Sequence, residues 1–354
     1  MIPERVAAAW GWPVTAIAPI AGGLINQTYA VTRDGARVAV VQRLHAVFGA
    51  AVNLDLEAVT AHLAARGMVT PRLVRTLGGA PWFEDAGHVW RALTFVDGIT
   101  VNHVPAPAWA DAAGELVGTF HRAVADLEHT YAFARAGVHD TAAHLARLAQ
   151  IAAGAAPGED RELAREILDA AEDLPILEVT PRRHCHGDLK ISNVRFASPP
   201  GGGPLAAHAP HGSHASEAPR ATALVDLDTL GHGTLAFELG DAMRSWCNPA
   251  GEDAGSVRFE LPIFAAAIGG FRRRADSITT LAERRSIVDG LETVCIELAA
   301  RFAVDVFRDE YFGWDASRFA SRRAHNAVRA RGQLALGRAV HAARADALAI
   351  VLAG

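Results

Sequence analysis

Positive charge is in deficit in this chain: lysine and arginine total 34 against 39 aspartates and glutamates, a formal net charge of -5. That balance leaves no broad cationic field for nucleic-acid phosphates or an anionic bilayer, so neither nucleic acid nor membrane is expected as a partner. Cysteine is scarce as well. Cys185, Cys247 and Cys295 are an odd number, widely spaced and without a CxxC pair, which argues against a zinc ribbon or redox dithiol and fits unpaired thiols in a reducing compartment. No apolar run approaches the roughly 20 residues of a bilayer span. Charge is absent between Arg5 and Arg33, and Ala16-Ile17-Ala18 imitates a cleavage site, but Trp10-Gly11-Trp12-Pro13 interrupts the apolar helix that a secretory leader needs. A soluble, cytoplasmic protein is expected, as a monomer or weak dimer.

Apolar material is plentiful. Half of the 354 residues are hydrophobic, enough for one large domain or two small ones. Residues 14–20 read as a strand entering a glycine turn, 24–32 and 37–43 as two more strands joined by a tight Asp34-Gly35 turn. A helix fits 52–66 and ends at Gly67; 73–77 and 89–96 supply further strands. After Pro105-Ala106-Pro107 the pattern becomes helical at 108–129, 140–153 and 160–172. Short strands return near 193–196 and 221–226, and helices run from about 238 onward with breaks at Gly269-Gly270 and Phe312-Gly313. The expected class is therefore α+β, with a small antiparallel sheet lobe over 1–97 and a large helical lobe over 98–354. Within the helical lobe 198–220 differs from everything around it, being rich in Pro, Gly, Ala and His, and reads as a flexible insertion; a polar linker suits His208, His211 and His214 better than a metal site does.

The informative run is His186-Gly187-Asp188-Leu189-Lys190-Ile191-Ser192-Asn193, followed by Leu224-Val225-Asp226-Leu227-Asp228-Thr229. An aspartate and an asparagine five apart on one loop, with a second carboxylate leaving a later strand, can take a nucleophile's proton and hold magnesium on ATP. Phosphoryl transfer asks the protein mainly for positioning and charge neutralisation, and magnesium prefers hard oxygen ligands.

These motifs resemble those of the aminoglycoside phosphotransferase and choline kinase superfamily, small-molecule kinases built on the protein-kinase fold. Peripheral pieces resemble the N-acetylhexosamine 1-kinase type: Val41-Gln42-Arg43-Leu44, Val59 to Leu63, Gly118 to His121, Val138-His139-Asp140-Thr141, FELGDAMR from Phe237, Ala300-Arg301-Phe302, Asp309 to Phe312 and HNAVRARGQ from His325. The resemblance implies ATP as co-substrate with Mg2+, and a sugar acceptor. It makes Asp188 the catalytic base, Lys190 a cation beside the transferring phosphoryl group, and Asn193 and Asp226 the metal ligands, with His186 bracing the loop. Asp228 is left between a supporting carboxylate and a substrate contact.

In the sheet lobe, Gly22-Gly23-Leu24-Ile25-Asn26 stands where a phosphate-covering turn belongs, or forms an ordinary hairpin. Arg43 occupies the place of the protein-kinase lysine and is expected to pair with phosphate and with Glu57, unless the two form only a surface ion pair. Thr94-Phe95-Val96-Asp97 is the expected hinge, with Phe95 and Val96 facing adenine. Asp241 and Arg244, three apart on one helix face, either hold the acceptor or pair with each other. Arg301 is a further acceptor residue by resemblance. Glu238 replaces the usual aspartate, which bears on substrate geometry. Trp246, Tyr311 and Trp314 stack on a sugar or belong to the core.

The leading expectation is transfer of the γ-phosphoryl group to a sugar hydroxyl, the anomeric one of a hexose or N-acetylhexosamine. Kinases of aminoglycosides, choline or homoserine are the alternative, and a nucleotide-binding pseudokinase is disfavoured by the complete Asp188, Asn193 and Asp226 set.

Overall fold

The computed structural model describes residues 2–20, 26–134, 137–198, 218–254 and 257–353. Gly22 and Gly23, and most of the expected insertion with its three histidines, lie outside the described residues.

Helix α1 (Glu4–Ala9) precedes β1 (Ile17–Pro19), β2 (Gln27–Arg33) and β3 (Ala36–Arg43); α2 (Val52–Ala65) follows, then β4 (Leu73–Val74), β5 (Phe83–Asp85) and β6 (His88–Thr94). The strands form one antiparallel sheet in the order β1-β2-β3-β6-β4, with β5 also on β6. At the β2–β3 turn Asp34 and Gly35 both have positive φ, the conformation that makes Asp-Gly a hairpin signal. Register decides which side chains reach the rest of the molecule, because successive residues point to opposite faces. Tyr29, Val41 and Ala92 line up on the face that packs with Val6 and Trp10 around α1; Thr28, Gln42 and Arg91 line up on the other.

The helical lobe begins with α3 (Pro107–Ala123), α4 (Thr141–Gly154) and α5 (Glu159–Glu172). Two small ribbons follow: β7 (Arg183–Cys185) pairs with β10 (Gly231–Gly233), and between them in sequence β8 (Val194–Phe196) pairs with β9 (Ala221–Leu224). Helices α6 (Leu235–Trp246), α7 (Leu261–Ala275), α8 (Leu281–Arg308), α9 (Arg322–Ala342) and α10 (Arg344–Leu352) complete the chain. The fold is thus α+β and two-lobed, as the pattern implied. No helix among the described residues is long and apolar enough to cross a membrane.

Two expectations are corrected. Helix α7 runs unbroken through Gly269-Gly270, because Gly270 serves helix packing and not chain reversal: a Cβ on it would sit 2.0 Å from the Asp111 carbonyl oxygen of α3. Gly114 answers from α3, where a Cβ would lie 2.1 Å from Ala267 O. Helix α3 itself stops at Ala123, short of the expected 129.

The 28-residue α8 is the central post, started by a capping box between Thr280 and Glu283. It is buried on nearly every side, so its carboxylates need partners. Asp289 and Glu292 take Arg344, Glu297 takes His139, and Asp305 takes Asn326.

Candidate active site

The loop from His186 to Asn193 is held from three directions. Gly187 has φ +78°, and a Cβ there would meet Thr229 O at 2.4 Å, so this position accepts glycine only. Glu238 on α6 accepts the His186 and Gly187 backbone N–H groups at 2.8 and 2.9 Å. The buried His186 ring donates from Nε2 to Val225 O (3.0 Å) and accepts at Nδ1 from Asp188 N (3.3 Å), tying the loop to the strand that carries Asp226. Burial lowers its pKa, consistent with a neutral brace. The reading of Glu238 is corrected here: its carboxylate faces the catalytic loop backbone and His121, 3.4 Å away, so the extra methylene bears on loop position.

Asp188 is half-buried, with Oδ2 3.0 Å from Lys190 Nζ and 3.2 Å from Asn193 Nδ2. Asn193 Nδ2 also donates to Asp188 O at 2.8 Å, which turns the amide oxygen away from Asp188. Lys190 is the only lysine in the chain. Burial disfavours its charge, yet Asp188 and then Asp226 and Asp241 hold the ammonium above its usual pKa.

Asp226 follows β9 in the left-handed region, φ 63° and ψ 58°, and is exposed. Surrounding protein, then Asp228 and Asp188, push its pKa up to about 7, while the carboxylate stays open to cleft water that screens part of this effect. An open carboxylate crowded by two others, beside an outward amide oxygen, is a hard donor pair short of positive charge. It fits a divalent cation that keeps waters and takes few protein ligands. Among the described residues there is no denser group of His, Cys, Asp and Glu suited to a metal.

The sheet lobe differs from expectation. Arg43 pairs in register with Gln27 and Trp90, on the α1 face and away from the cleft, and makes no ion pair with Glu57. Glu57 instead takes Arg75, at 2.6 and 2.9 Å. The cleft-facing cation is Arg91, on β6 opposite Gln42. Gln42 Oε1 accepts from Arg91 Nε and Nη2 (2.9 and 2.7 Å), and Arg91 Nη1 lies 2.5 Å from Asp228 Oδ1. Asn26 also turns to Asp228, donating from Nδ2 at 2.6 Å while its Oδ1 accepts His45 N. Asp228 is therefore a buried link between lobes, and the Asn26 amide is taken up by Asp228 and the His45 N–H. Strand register could have located Arg91, but register depends on pairing that one strand's sequence does not reveal. At the hinge, Phe95 N donates to Val38 O, and Val96 O accepts Arg195 Nη2 at 3.1 Å, leaving the Val96 N–H without a partner among the described residues.

On the opposite wall Asp241 and Arg244 pair with each other at 2.9 Å, and Arg244 Nη1 also reaches Glu252 at 3.1 Å. Burial opposes the Asp241 charge, but Arg244, His139 and Lys190 hold its pKa below the usual carboxylate range. Lys190, Ser192, Arg244, Asn248 and Glu252 line a pocket of about 130 Å³. Arg301 stands 4.0 Å from Glu297 with its guanidinium over Phe312. Trp246 is core, its Nε1 donating to Leu189 O, whereas Tyr311 and Trp314 are exposed.

The model of the phosphotransferase enzyme family (APH) matches residues 16–207, over half of the chain. The chain belongs to that phosphotransferase family. An amicoumacin kinase solved with AMP-PNP, Ca2+ and its antibiotic superposes with a TM-score of 0.60 at 13% identity, covering 95% of this chain and 92% of that one. An aminoglycoside phosphotransferase from Alicyclobacillus acidocaldarius gives 0.57 at 17% identity over 97% and 96%. A choline/ethanolamine kinase family protein from Mesorhizobium loti gives 0.55 at 15% over 99% of both chains. These likenesses are of fold.

In this phosphotransferase the C-terminal motif anchors loops. His325 and Arg329 on α9 hold Asp253 at 2.8 and 2.7 Å, and Arg329 also donates to Gly313 O. Asp305 accepts the N–H groups of Glu310, Tyr311 and Phe312 as well as Asn326 Nδ2. HNAVR thus pins two loops, one beside the Arg244 pocket and one carrying Phe312.

Proposed function

We propose that the protein is a small-molecule kinase that uses ATP with Mg2+ and phosphorylates a hydroxyl of a sugar, the anomeric hydroxyl of a hexose or N-acetylhexosamine. The observation that carries the phosphotransfer is the single constellation of Asp188, Lys190, Asn193 and Asp226 around one cleft. Asp188 accepts the acceptor's proton, and Lys190 beside it offsets charge on the moving phosphoryl group. Asp226 and Asn193 would hold the cation, which supplies neutralisation of the phosphate charge. Arg91 reaches this centre through Asp228, and the sheet lobe's hinge offers the Val96 N–H to the base.

The acceptor assignment rests on the wall. Asp241 and Glu252 share Arg244, and Glu297 is engaged by His139 and, at 4.0 Å, Arg301, so among the described residues each of these wall carboxylates is already occupied before a polycation such as an aminoglycoside arrives. An anomeric hydroxyl is more acidic than other sugar hydroxyls and suits a carboxylate base. A coupled ADP-release screen over reducing sugars, their 1-O-methyl glycosides and amino alcohols tests this, with the phosphate position read by phosphorus NMR. Reducing sugars are expected to turn over and methyl glycosides to be inert. Equal turnover of both excludes the anomeric site, and turnover of choline or homoserine alone moves the acceptor to an amino alcohol.

A further inference from the structure

The segment Val138 to Thr141 stands out in the sequence, and the phosphotransfer groups make no use of it. His139 is nevertheless more tightly set than a loop histidine needs to be. Its Nδ1 donates to Glu297 Oε1 at 3.2 Å, and Glu297 Oε2 accepts Thr141 Oγ1 at 2.5 Å. The imidazole also stacks on Phe237, with centroids 4.5 Å apart and planes 12° from parallel. One nitrogen is taken and one ring face covered, yet the side chain keeps 26% of its surface exposed, while Glu297 keeps 2%. What remains open is the edge bearing Nε2, which no described residue engages.

That edge belongs to the acceptor side. Phe237 lies one turn before Asp241 on α6, and Asp241 senses both the His139 ring and the Lys190 ammonium that contacts Asp188. Arg301 completes the row on the far side of Glu297. The buried carboxylate on Nδ1 holds a proton at that nitrogen, so Nε2 is the ring's remaining polar edge, and a stacked ring presents it with little rotational freedom to lose.

We propose that His139 is an acceptor-binding residue whose Nε2, aimed by Glu297 and Phe237, makes a hydrogen bond with a hydroxyl of a polyhydroxylated acceptor. The proposal rests on the sugar-kinase reading above and assigns one of its specificity contacts. Glu297 and Phe237 are positioning residues in this scheme.

The test uses the full-length enzyme with the best sugar from the acceptor screen and its monodeoxy analogues. His139→Phe keeps the stack and removes both nitrogens; His139→Gln restores a polar reach. The Phe variant should raise the acceptor KM roughly tenfold, the loss of about one hydrogen bond, with the ATP KM unchanged, the Tm lowered because buried Glu297 loses a partner, and the Gln variant intermediate. One deoxy sugar should lose about tenfold with the wild type and nothing further with the Phe variant. Unchanged acceptor KM, or deoxy penalties that add fully to the substitution at every position, overturns the role of His139 while leaving the kinase reading intact. If the Phe variant fails to fold, the same cycle on His139→Gln decides. Turnover of amino alcohols alone, or of no acceptor, overturns the sugar reading and this proposal together.

Discussion

Arg91 Nη1 and Asp228 Oδ1 lie 2.5 Å apart with both side chains about 1% exposed, joining the sheet lobe to the turn that follows Asp226. Removing one partner of such a pair leaves the other charge buried and uncompensated, which typically costs about 3 to 5 kcal/mol. Arg91→Met should be destabilised by that amount in urea unfolding, while Arg91→Met with Asp228→Leu should recover much of it. Full additivity of the two single costs would contradict a direct link.

Asp188→Asn should lower kcat by at least ~100-fold, the usual scale for loss of a general base. Nucleotide affinity measured by calorimetry in Mg2+ should stay within a factor of about two, since Asp188 faces Lys190 and Asn193 and makes no contact with the hinge. Substantial residual turnover in the purified variant would remove Asp188 from the base role.

The raised pKa of Asp226, about 7 in the folded protein, carries a sign. Against an unfolded value of roughly 3.9, the folded state binds more protons than the unfolded chain between these limits, so this group makes metal-free stability fall as pH rises through that window. Asp226→Asn removes the effect, and its stability relative to wild type should rise with pH from about 4 to 7. Thermal melts in chelator across that range measure it. Excess Mg2+ should reverse the wild-type trend, because the cation binds the carboxylate form; a flat difference between variant and wild type would contradict the shift.

Glu238→Asp withdraws the carboxylate by one methylene from the His186 and Gly187 N–H groups that it holds at 2.8 and 2.9 Å. The catalytic loop should loosen, and kcat should fall roughly tenfold or more with little change in either KM. A raised acceptor KM at constant kcat would assign Glu238 to acceptor geometry instead.

Lys190 provides a chemical handle, being the only ε-amine in the chain. An amine-reactive nucleotide analogue should label position 190, identified by peptide mass spectrometry, and Mg2+ with ATP should protect it. Labelling confined to the N-terminal amine would place Lys190 outside the nucleotide's reach.

What the sequence by itself determined was local: the Asp-Gly hairpin, the strand-then-helix order, and the loop spacing that puts Asp188, Lys190 and Asn193 together, because those depend on residues a few positions apart. Gly187 was legible as part of HGD for the same reason. Contacts between distant segments were decided only in three dimensions. Arg43 ends β3 and Arg91 sits mid-way along β6, and their sequences do not say which faces the cleft; the register of β3 against β6 does, since a shift of one residue reverses every side chain. Gly269-Gly270 reads as a break until α3 is packed against Gly270. Asp228 acquires its partners from residues 137 and 202 positions away, and Glu297 orients His139 across 158, pairings set by how the lobes and helices pack rather than by any periodicity along the chain.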